Sequence, residues 1–425
     1  MKISQRQWQD ILDRIKNNDP SSDIIDLKNS EIKDKEAKEL AEALKSNSIS
    51  KKIDLFMNQI GSEGVEALAE VLKSNSTLQE LNLFCNQAGD DGAIALAQAL
   101  KSNSTLINLD LTDNHITSKG IDFIAQSLKS NSALRKIYLR ANAIRDSGVK
   151  ALAQAFKSNS TIEELDLGEC VIQDAGFGYL AEVLKTNSTI KFLSVDLNYN
   201  DNDDWICYLS DALKSNLALK SLKLDLDWIE DRGFDALLLA LKSNYSLLNI
   251  PTQNLEIENQ KKLDDLKELM TRNKTLDDIC NKIIKGFLTS KHPQQDPVLS
   301  QDELKLIATH PDSNLTIFNE LMHRTPASNH ESLIEYLKQF PNDLGIAGLK
   351  ILFSSFKLAK TKDYAESASK KLNLDDYFRL KNYSKKLSKD EPKSSPDEPK
   401  SSPSLSTMPG EIGKKILEHL VGLQK

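Results

Sequence analysis

Residues 70–106 read EVLKSNSTLQELNLFCNQAGDDGAIALAQALKSNSTL, and this stretch decides the fold. The hexapeptide LKSNST begins at Leu72 and returns at Leu100, 28 positions later. Between the two copies lie a short run with alternating apolar residues, a loop that contains Asn86, and an amphipathic helix. A fixed period of this length predicts a solenoid, in which each repeat is one structural unit stacked on the next.

An Asn that follows Lys-Ser in most copies recurs at steps of 28 or 29 residues along most of the chain. The register comprises Asn47, Asn75, Asn103, Asn131, Asn159, Asn187, Asn216, Asn244 and Asn273. We interpret each Asn as the residue that ends a helix, because Asn tolerates the left-handed conformation and the preceding Lys suits the helix dipole. The tripeptide is therefore predicted to be a structural stop signal.

Each repeat also contains a short predicted strand. Leu81 and Leu83 alternate with polar residues, so they should face the core while Glu80, Asn82 and Phe84 face the other way. The corresponding core pairs are Ile53/Leu55, Leu109/Leu111, Ile137/Leu139, Leu165/Leu167, Leu193/Val195 and Leu222/Leu224. The position after each strand holds Asn58, Asn86, Asn114, Asn142 and Asn198, with Cys170 and Asp227 in two copies. We expect this column to pair loop backbone groups that would otherwise be buried without partners.

The pattern LxxLxLxxN, followed by a helix that begins after a Gly such as Gly64, resembles the ribonuclease-inhibitor class of leucine-rich repeats over residues 22–276. The resemblance implies an α/β leucine-rich-repeat solenoid (horseshoe), with parallel strands on the concave face and helices on the convex face. It also implies that the concave face binds another protein.

Composition excludes several classes of function. The chain has 425 residues, 55 basic and 62 acidic, with a net charge of −7, which argues against general binding of nucleic acid or anionic membranes. No apolar run approaches the ~18 residues that a membrane span needs. The N-terminal segment lacks an apolar h-region, so we expect no cleavable signal peptide and a cytoplasmic location. Four widely spaced cysteines fit a reducing compartment and offer no thiolate metal site.

The pattern predicts five segments. They are an N-terminal capping helix (1–21), the solenoid (22–276), a small all-α domain (277–388), a linker (389–407) and a C-terminal amphipathic helix (408–425). The linker repeats DEPKSSP and cannot bury a core. In the all-α domain, His310, His323 and His330 lack metal-ligand spacing, and neither a catalytic signature nor a cofactor site is predicted.

The predicted partner-binding residues are those strand residues that point away from the core, together with a tryptophan from one irregular repeat and another from the repeat after it. They are Asp54, Phe56, Asn82, Phe84, Asp110, Tyr138, Arg140, Asp166, Phe192, Asp196, Trp205 and Trp228. An alternative for Phe56 and Phe84 is that both rings fold over a rim and join the core. In the irregular repeat, Asp201, Asp203 and Asp204 do not match a calcium loop, and we interpret them as a solvated loop with a helix N-cap.

Three functions remain open from the sequence. The favoured one is a non-enzymatic scaffold for a host protein or another effector, because the tail resembles type IV secretion signals and the repeats resemble those of effectors of intracellular bacteria. The second is activation of a GTPase through Arg140, since this repeat class includes the Ran activator. The third is a ubiquitin-ligase subunit, because residues 409–420 are similar to the first helix of an F-box and would recruit a Skp1-like adaptor.

Overall fold

The computed structural model describes residues 3–195, 202–226, 229–251 and 260–289, together with Leu321. The chain forms two compact units, Met1–Thr271 and Arg272–Lys425. The first unit contains the repeats. In the second, the described residues are the last part of one long helix and Leu321. Apart from Leu321, the predicted helices from 301 onward, the linker and the C-terminal segment 408–425 lie outside the described residues, and the predicted segment boundaries stay predictions.

Strands and helices alternate throughout the first unit. The strands are β1 (Ile24–Asp26), β2 (Lys52–Asp54), β3 (Glu80–Asn82), β4 (Asn108–Asp110), β5 (Lys136–Tyr138), β6 (Glu164–Leu167), β7 (Phe192–Val195) and β8 (Ser221–Lys223). The helices are α1 (Gln5–Lys16), α2 (Asp34–Leu44), α3 (Ser62–Leu72), α4 (Gly89–Leu100), α5 (Ser118–Leu128), α6 (Arg145–Phe156), α7 (Asp174–Leu184), α8 (Asp204–Leu213), α9 (Asp231–Ser243) and α10 (Gln260–Thr289).

The eight strands form one parallel sheet in chain order, β1 to β8. Its register places Ile53 beside Leu81, Leu81 beside Leu109, and Leu109 beside Ile137. These residues and their partners two positions on, such as Leu83 and Leu111, are at most 2% exposed. The predicted alternation and the predicted α/β solenoid are therefore confirmed.

The helices cover the core side of the sheet. Neighbouring parallel strands lie about 4.8 Å apart, whereas packed helices lie about 8–10 Å apart, so the strand side is the shorter, concave side of the stack. We call the sheet surface that points away from the helices the concave face. Glycine at the start of the helices allows close packing. A Cβ on Gly64 would lie 2.6 Å from Ile60 Cγ2 and 2.7 Å from Asp34 Oδ1.

Helix α1 packs against the first repeat. A capping box begins it: the Gln7 amide donates to Ser4 Oγ (3.3 Å), and the Ser4 amide donates to Gln7 Oε1 (3.0 Å). Its buried residues are Trp8, Leu12 and Ile15, as the apolar stripe predicts, and Trp8 Nε1 donates to Glu39 Oε2 at 2.6 Å. The helix therefore covers apolar surface that the first repeat would otherwise expose.

The column of residues after the strands behaves as predicted. Asn114, which is fully buried, donates from Nδ2 to Leu83 O (2.8 Å) and Thr112 O (3.0 Å), and its Oδ1 accepts from the Ala88 amide at 3.2 Å. Asn58, Asn86 and Asn142 make equivalent bonds, and Cys170 Sγ lies 3.2 Å from Leu139 O. Asn198 and Asp227 lie outside the described residues.

The Asn of Lys-Ser-Asn works differently from the prediction. The helix does end at the Lys in most repeats, for example at Lys101. The Asn, however, is not left-handed: Asn244 has φ −93° and ψ 123°, and the non-glycine residues of positive φ lie elsewhere. Instead, Asn103 Nδ2 donates to Leu72 O in the preceding repeat (2.8 Å), and its Oδ1 accepts from the Leu106 amide (2.8 Å). The termination is thus a side-chain cap between repeats.

One member of this register is an exception. Asn273, predicted to end a helix, lies inside the 30-residue α10 and is fully buried. The predicted helix Leu276–Leu288 is likewise part of α10, so the helix continues past the last position of the repeat register.

A second set of caps alternates along the stack. Asp34, Asp90, Asp146 and Asp203 each accept a backbone N–H at the start of the following helix, at 2.7, 2.8, 2.8 and 3.0 Å. Asp203 is the N-cap residue of α8, as the predicted helix N-cap requires, but it is only 3% exposed, so its assignment to a solvated loop is wrong. Its carboxylate also accepts from the Gly233 amide at 2.5 Å, which places it at the start of α9.

Candidate functional site: the concave face

The concave face carries three rows of residues: the first two have a member on every strand, and the third includes the residues that follow β1 to β6. The first row is Ile24, Lys52, Glu80, Asn108, Lys136, Glu164, Phe192 and Ser221. The second row is Asp26, Asp54, Asn82, Asp110, Tyr138, Asp166, Ser194 and Lys223. The third row follows the strands and holds Lys28, Phe56, Phe84, Thr112, Arg140 and Gly168. Because the sheet is in register, members of one row are neighbours on adjacent strands.

The first row neutralises much of its own charge. Lys52 Nζ lies 3.0 Å from Glu80 Oε2, and Lys136 Nζ lies 2.7 Å from Glu164 Oε1. These side chains are between 29% and 43% exposed, so such pairs contribute little to stability, about 0–1 kcal/mol each. Phe192 extends the same row and is half-buried.

The third row contains an aromatic pair. The rings of Phe56 and Phe84 lie 4.8 Å apart between centroids, with an interplanar angle of 51°. Both side chains are half-buried, so each ring keeps a surface that faces solvent, and neither is enclosed in the core. Their backbones are fixed, because the Phe56 amide donates to Asp54 Oδ1 (3.2 Å) and the Phe84 amide donates to Asn82 Oδ1 (2.9 Å). The two rings form a small, preorganised apolar surface.

Asp54 is less available than the sequence analysis predicts. Its side chain is only 7% exposed and lies 3.3 Å from Lys28 Nζ. It also accepts a hydrogen bond from Asn82 Nδ2 at 3.0 Å. The carboxylate raises the pKa of Lys28, first through their hydrogen bond and then through its charge. Asp54 therefore acts mainly to hold its neighbours in place.

Asp110 and Asp166 are the two central carboxylates of the second row. Asp110 Oδ1 accepts from the Thr112 amide and Asp166 Oδ1 accepts from the Gly168 amide, both at 2.9 Å. Within the described part of the chain, neither carboxylate forms an ion pair. Burial raises the pKa of Asp110, hydrogen bonds from Thr112 oppose this, and the negative charges of Asp166 and Asp54 raise it further.

Tyr138 stands between these two aspartates, on β5. Its hydroxyl donates to Glu164 Oε2 at 2.5 Å. Burial, followed by the hydrogen bond to Glu164, raises the pKa of Tyr138, so the phenol stays protonated. Arg140 lies two residues further on, forms an ion pair with Glu169, and is 26% exposed. The alternative function, GTPase activation, would use this guanidinium, which the ion pair holds in place. That alternative stays a prediction.

The structure therefore groups most of the predicted site residues on one surface. We call Phe56, Phe84, Asp110, Tyr138, Arg140 and Asp166 the concave patch. Trp205 is a correction: it is fully buried, and its ring packs 5.1 Å from that of Phe177, so it belongs to the core and cannot anchor a partner. Asp196 and Trp228 lie outside the described residues.

Sequence reasoning missed the acceptors that hold the patch. Glu164 binds the Tyr138 hydroxyl, and Glu169 pairs with Arg140. A signal for Glu164 was present, because it is the register neighbour of Lys136. No comparable signal was present in the sequence for Glu169. This residue follows β6 with a positive φ (52°), and its side chain pairs with Arg140 of the preceding repeat.

Among the described residues, no group of three His, Cys, Asp or Glu side chains is arranged to hold a metal ion. In the same part of the chain, no helix is both long enough and apolar enough to cross a membrane.

Comparison with known proteins agrees with the repeat architecture. Residues 5–115 match the model of the tropomodulin/leiomodin (TMOD/LMOD) leucine-rich domain, and residues 130–153 and 158–181 match a leucine-rich-repeat model. No curated protein matches the chain.

Two solved structures are similar at low identity. The structure "Leiomodin-1 Actin-Binding Site 2 (ABS2)" is 18% identical and has a TM-score of 0.22, covering 67% of this chain and 96% of its own. The tropomodulin C-terminal domain of Caenorhabditis elegans is 12% identical with a TM-score of 0.25, covering 49% and 93%. At such TM-scores neither superposition bears on a partner.

The continuous parallel sheet and the family matches lead to one conclusion. Leucine-rich-repeat families are generally non-enzymatic scaffolds that bind proteins. The described repeats form a leucine-rich-repeat solenoid, and residues 5–115, 130–153 and 158–181 match leucine-rich-repeat models.

Proposed function

We propose that this chain is a non-enzymatic scaffold that binds another protein through its concave patch. The observation that carries the proposal is the half-exposed Phe56–Phe84 pair on the same rigid sheet as Tyr138 and Arg140. Aromatic and arginine side chains dominate the energetics of protein interfaces, and here they converge on one face. Hydrogen bonds hold Tyr138, and an ion pair holds Arg140, so binding would freeze few additional rotamers.

The double variant Phe84→Ala/Arg140→Ala tests this proposal. We expect its affinity for the partner to fall by about 100-fold or more, since each hot-spot side chain contributes at least ~2 kcal/mol. The free energy of unfolding should fall by only about 1–3 kcal/mol, because Phe84 is half-buried and the Arg140 pair is partly exposed. The measurements are partner titration and urea unfolding of both proteins.

The matched control is Phe123→Ala/Arg232→Ala. Phe123 on α5 is 37% exposed, and Arg232 on α9 forms an ion pair with Asp204 at 2.7 Å. The control therefore removes one Phe and one Arg, as the test variant does, but from the helical side of the repeats. We expect this control to bind the partner normally. Equal loss of binding in both double variants would contradict a role for the concave face.

We further propose that the protein is a bacterial effector delivered to a host cell by type IV secretion, where the concave patch binds a host protein or another effector. The support is in the sequence: a Pro/Ser-rich linker followed by a short amphipathic segment ending in LVGLQK, beside repeats of a kind common in host proteins. Deletion of residues 408–425 should abolish delivery of a fused reporter enzyme without altering partner affinity. Undiminished, secretion-dependent delivery of the truncated chain would contradict the role of this segment.

A further inference from the structure

We infer that the partner segment seated on the concave patch is cationic, with a Lys or Arg at Asp110, Tyr138 and Asp166 and a large apolar side chain at Phe56 and Phe84. This inference rests on the proposed function and specifies its partner. Three observations support it. They are the charges on the concave face that have no paired cation, the geometry of the second row, and the spacing between the acidic and the apolar parts of the concave patch.

The charges of the concave face are mostly satisfied in pairs. Lys52 pairs with Glu80, Lys136 with Glu164, Lys28 with Asp54, and Arg140 with Glu169. Two carboxylates at the centre, Asp110 and Asp166, are left without a cation among the described residues. A partner that supplies positive charge at the centre therefore completes the pattern, whereas an acidic partner would have to displace an existing pair.

The central carboxylates are held in place. Each accepts an amide N–H from the residue two positions on, Thr112 or Gly168, at 2.9 Å. They occupy alternate strands, β4 and β6, so about 10 Å separates them, and Tyr138 on β5 is the residue between them in the sheet register. A guanidinium or ammonium group above that ring would be attracted by both carboxylates and by the aromatic face.

Asp110 carries a cost that such a partner would relieve. Its pKa is raised by burial, so ionised Asp110 is less stable in the folded chain than in the unfolded one. A carboxyl group whose pKa is higher in the folded than in the unfolded protein stabilises the fold only at a pH below its unfolded pKa. That stabilisation is lost as the pH rises through its folded pKa. At neutral pH the carboxylate therefore destabilises the free protein. A cation on the partner would compensate for that cost.

The apolar part defines the spacing within the partner. Phe84, which follows β3, and Tyr138 on β5 belong to repeats two apart, which corresponds to about 10 Å across the sheet. An extended partner segment covers this distance in about three residues, and a helical one in about two turns. A segment with one cation and one large apolar residue at such a separation fits both parts of the patch.

The experiment uses the full-length protein on an array of immobilised peptides of equal length and equal apolar content, whose net charge runs from strongly negative to strongly positive. We expect binding only to the basic peptides, and only where their apolar residues include Phe or Leu. The variant Asp110→Asn/Asp166→Asn should weaken this binding by about 10-fold or more for each residue. Asparagine keeps the Oδ1 acceptor, so we also expect Asp110→Asn to melt at or above the wild-type temperature at neutral pH.

The control variant is Asp91→Asn/Asp122→Asn, which removes the same charge from exposed positions on α4 and α5. It should bind the basic peptides as the wild type does. The inference would be overturned if no peptide binds, if binding does not depend on charge, or if acidic peptides bind best. It would also be overturned if the variant Asp110→Asn/Asp166→Asn binds the basic peptides as the wild type does. If these aspartate substitutions leave the natural partner bound while Phe84→Ala/Arg140→Ala releases it, the scaffold proposal stands and only the cationic partner is wrong.

Discussion

Replacing Asn114 with Ala is expected to lower the free energy of unfolding by about 2–6 kcal/mol. The substitution leaves the Ala88 amide without an acceptor, and it removes one of the two hydrogen bonds that Leu83 O and Thr112 O each accept. An unsatisfied buried group costs about 1–3 kcal/mol, and each lost hydrogen bond costs about 0.5–1.5 kcal/mol. Because Asn114 is fully buried, water cannot readily replace the lost bonds. Urea unfolding of the purified chain measures the change.

Two further variants make this test specific. Asn114→Cys should cost less than Asn114→Ala, because Cys170 occupies the same column with its sulfur 3.2 Å from Leu139 O. Asn249→Ala, at an exposed Asn, should change stability by less than about 0.5 kcal/mol. A loss below about 1 kcal/mol for Asn114→Ala would show that the column does not satisfy the loop backbone.

Replacing Trp205 with Ala is expected to destabilise the protein by about 3–5 kcal/mol. The side chain is fully buried and packs on Phe177, with 5.1 Å between ring centroids, so truncation leaves a large cavity between α7 and α8. Trp205→Phe should cost far less, because it keeps an aromatic ring and removes an Nε1–H that has no acceptor among the described residues. Thermal and urea unfolding distinguish the two variants.

The matched position is Tyr208 on the same helix, which is 46% exposed. Tyr208→Ala should change stability by no more than about 0.5 kcal/mol. Trp205→Phe should also bind the partner as the wild type does, since the residue does not reach the concave face. Loss of partner binding in a fully folded Trp205→Phe protein would restore the sequence-based view that this tryptophan is an anchor.

The repeat architecture could be predicted because one short pattern occurs many times. The alternation at Leu81 and Leu83 determines which strand residues face the core, and the 28-residue period determines which residues lie side by side in the sheet. For the same reason, the rows containing Phe84, Tyr138 and Asp110 could be placed on one face before any contact was known.

The local chemistry of the caps could not be read from the same pattern. An Asn at the end of a helix can terminate it by its backbone or by its side chain, and the sequence does not distinguish the two. The choice depends on carbonyl groups of the preceding repeat, such as Leu72 O for Asn103. Asn273 has the right spacing but lies inside a continuous helix, so the spacing alone does not mark the end of a helix.

The site was predicted as a set of outward-facing residues, without their partners. Asp54 became a buried carboxylate because Lys28 and Asn82 cover it, and both contacts come from neighbouring repeats. Trp205 was placed outside because the extra residue in its repeat shifts the register, and periodicity cannot tell which way an insertion turns a side chain. These differences arise where contacts between repeats, rather than the repeat itself, determine the outcome.

The most direct measurement of the central claim is photo-crosslinking from two aromatic positions. The photoreactive residue p-benzoylphenylalanine replaces Phe84 on the concave face in one protein and Phe123 on α5 in another, so an aromatic side chain is kept at both sites. With partner present, we predict a covalent adduct from position 84 and none from position 123. An adduct from position 123 alone would contradict binding through the concave face.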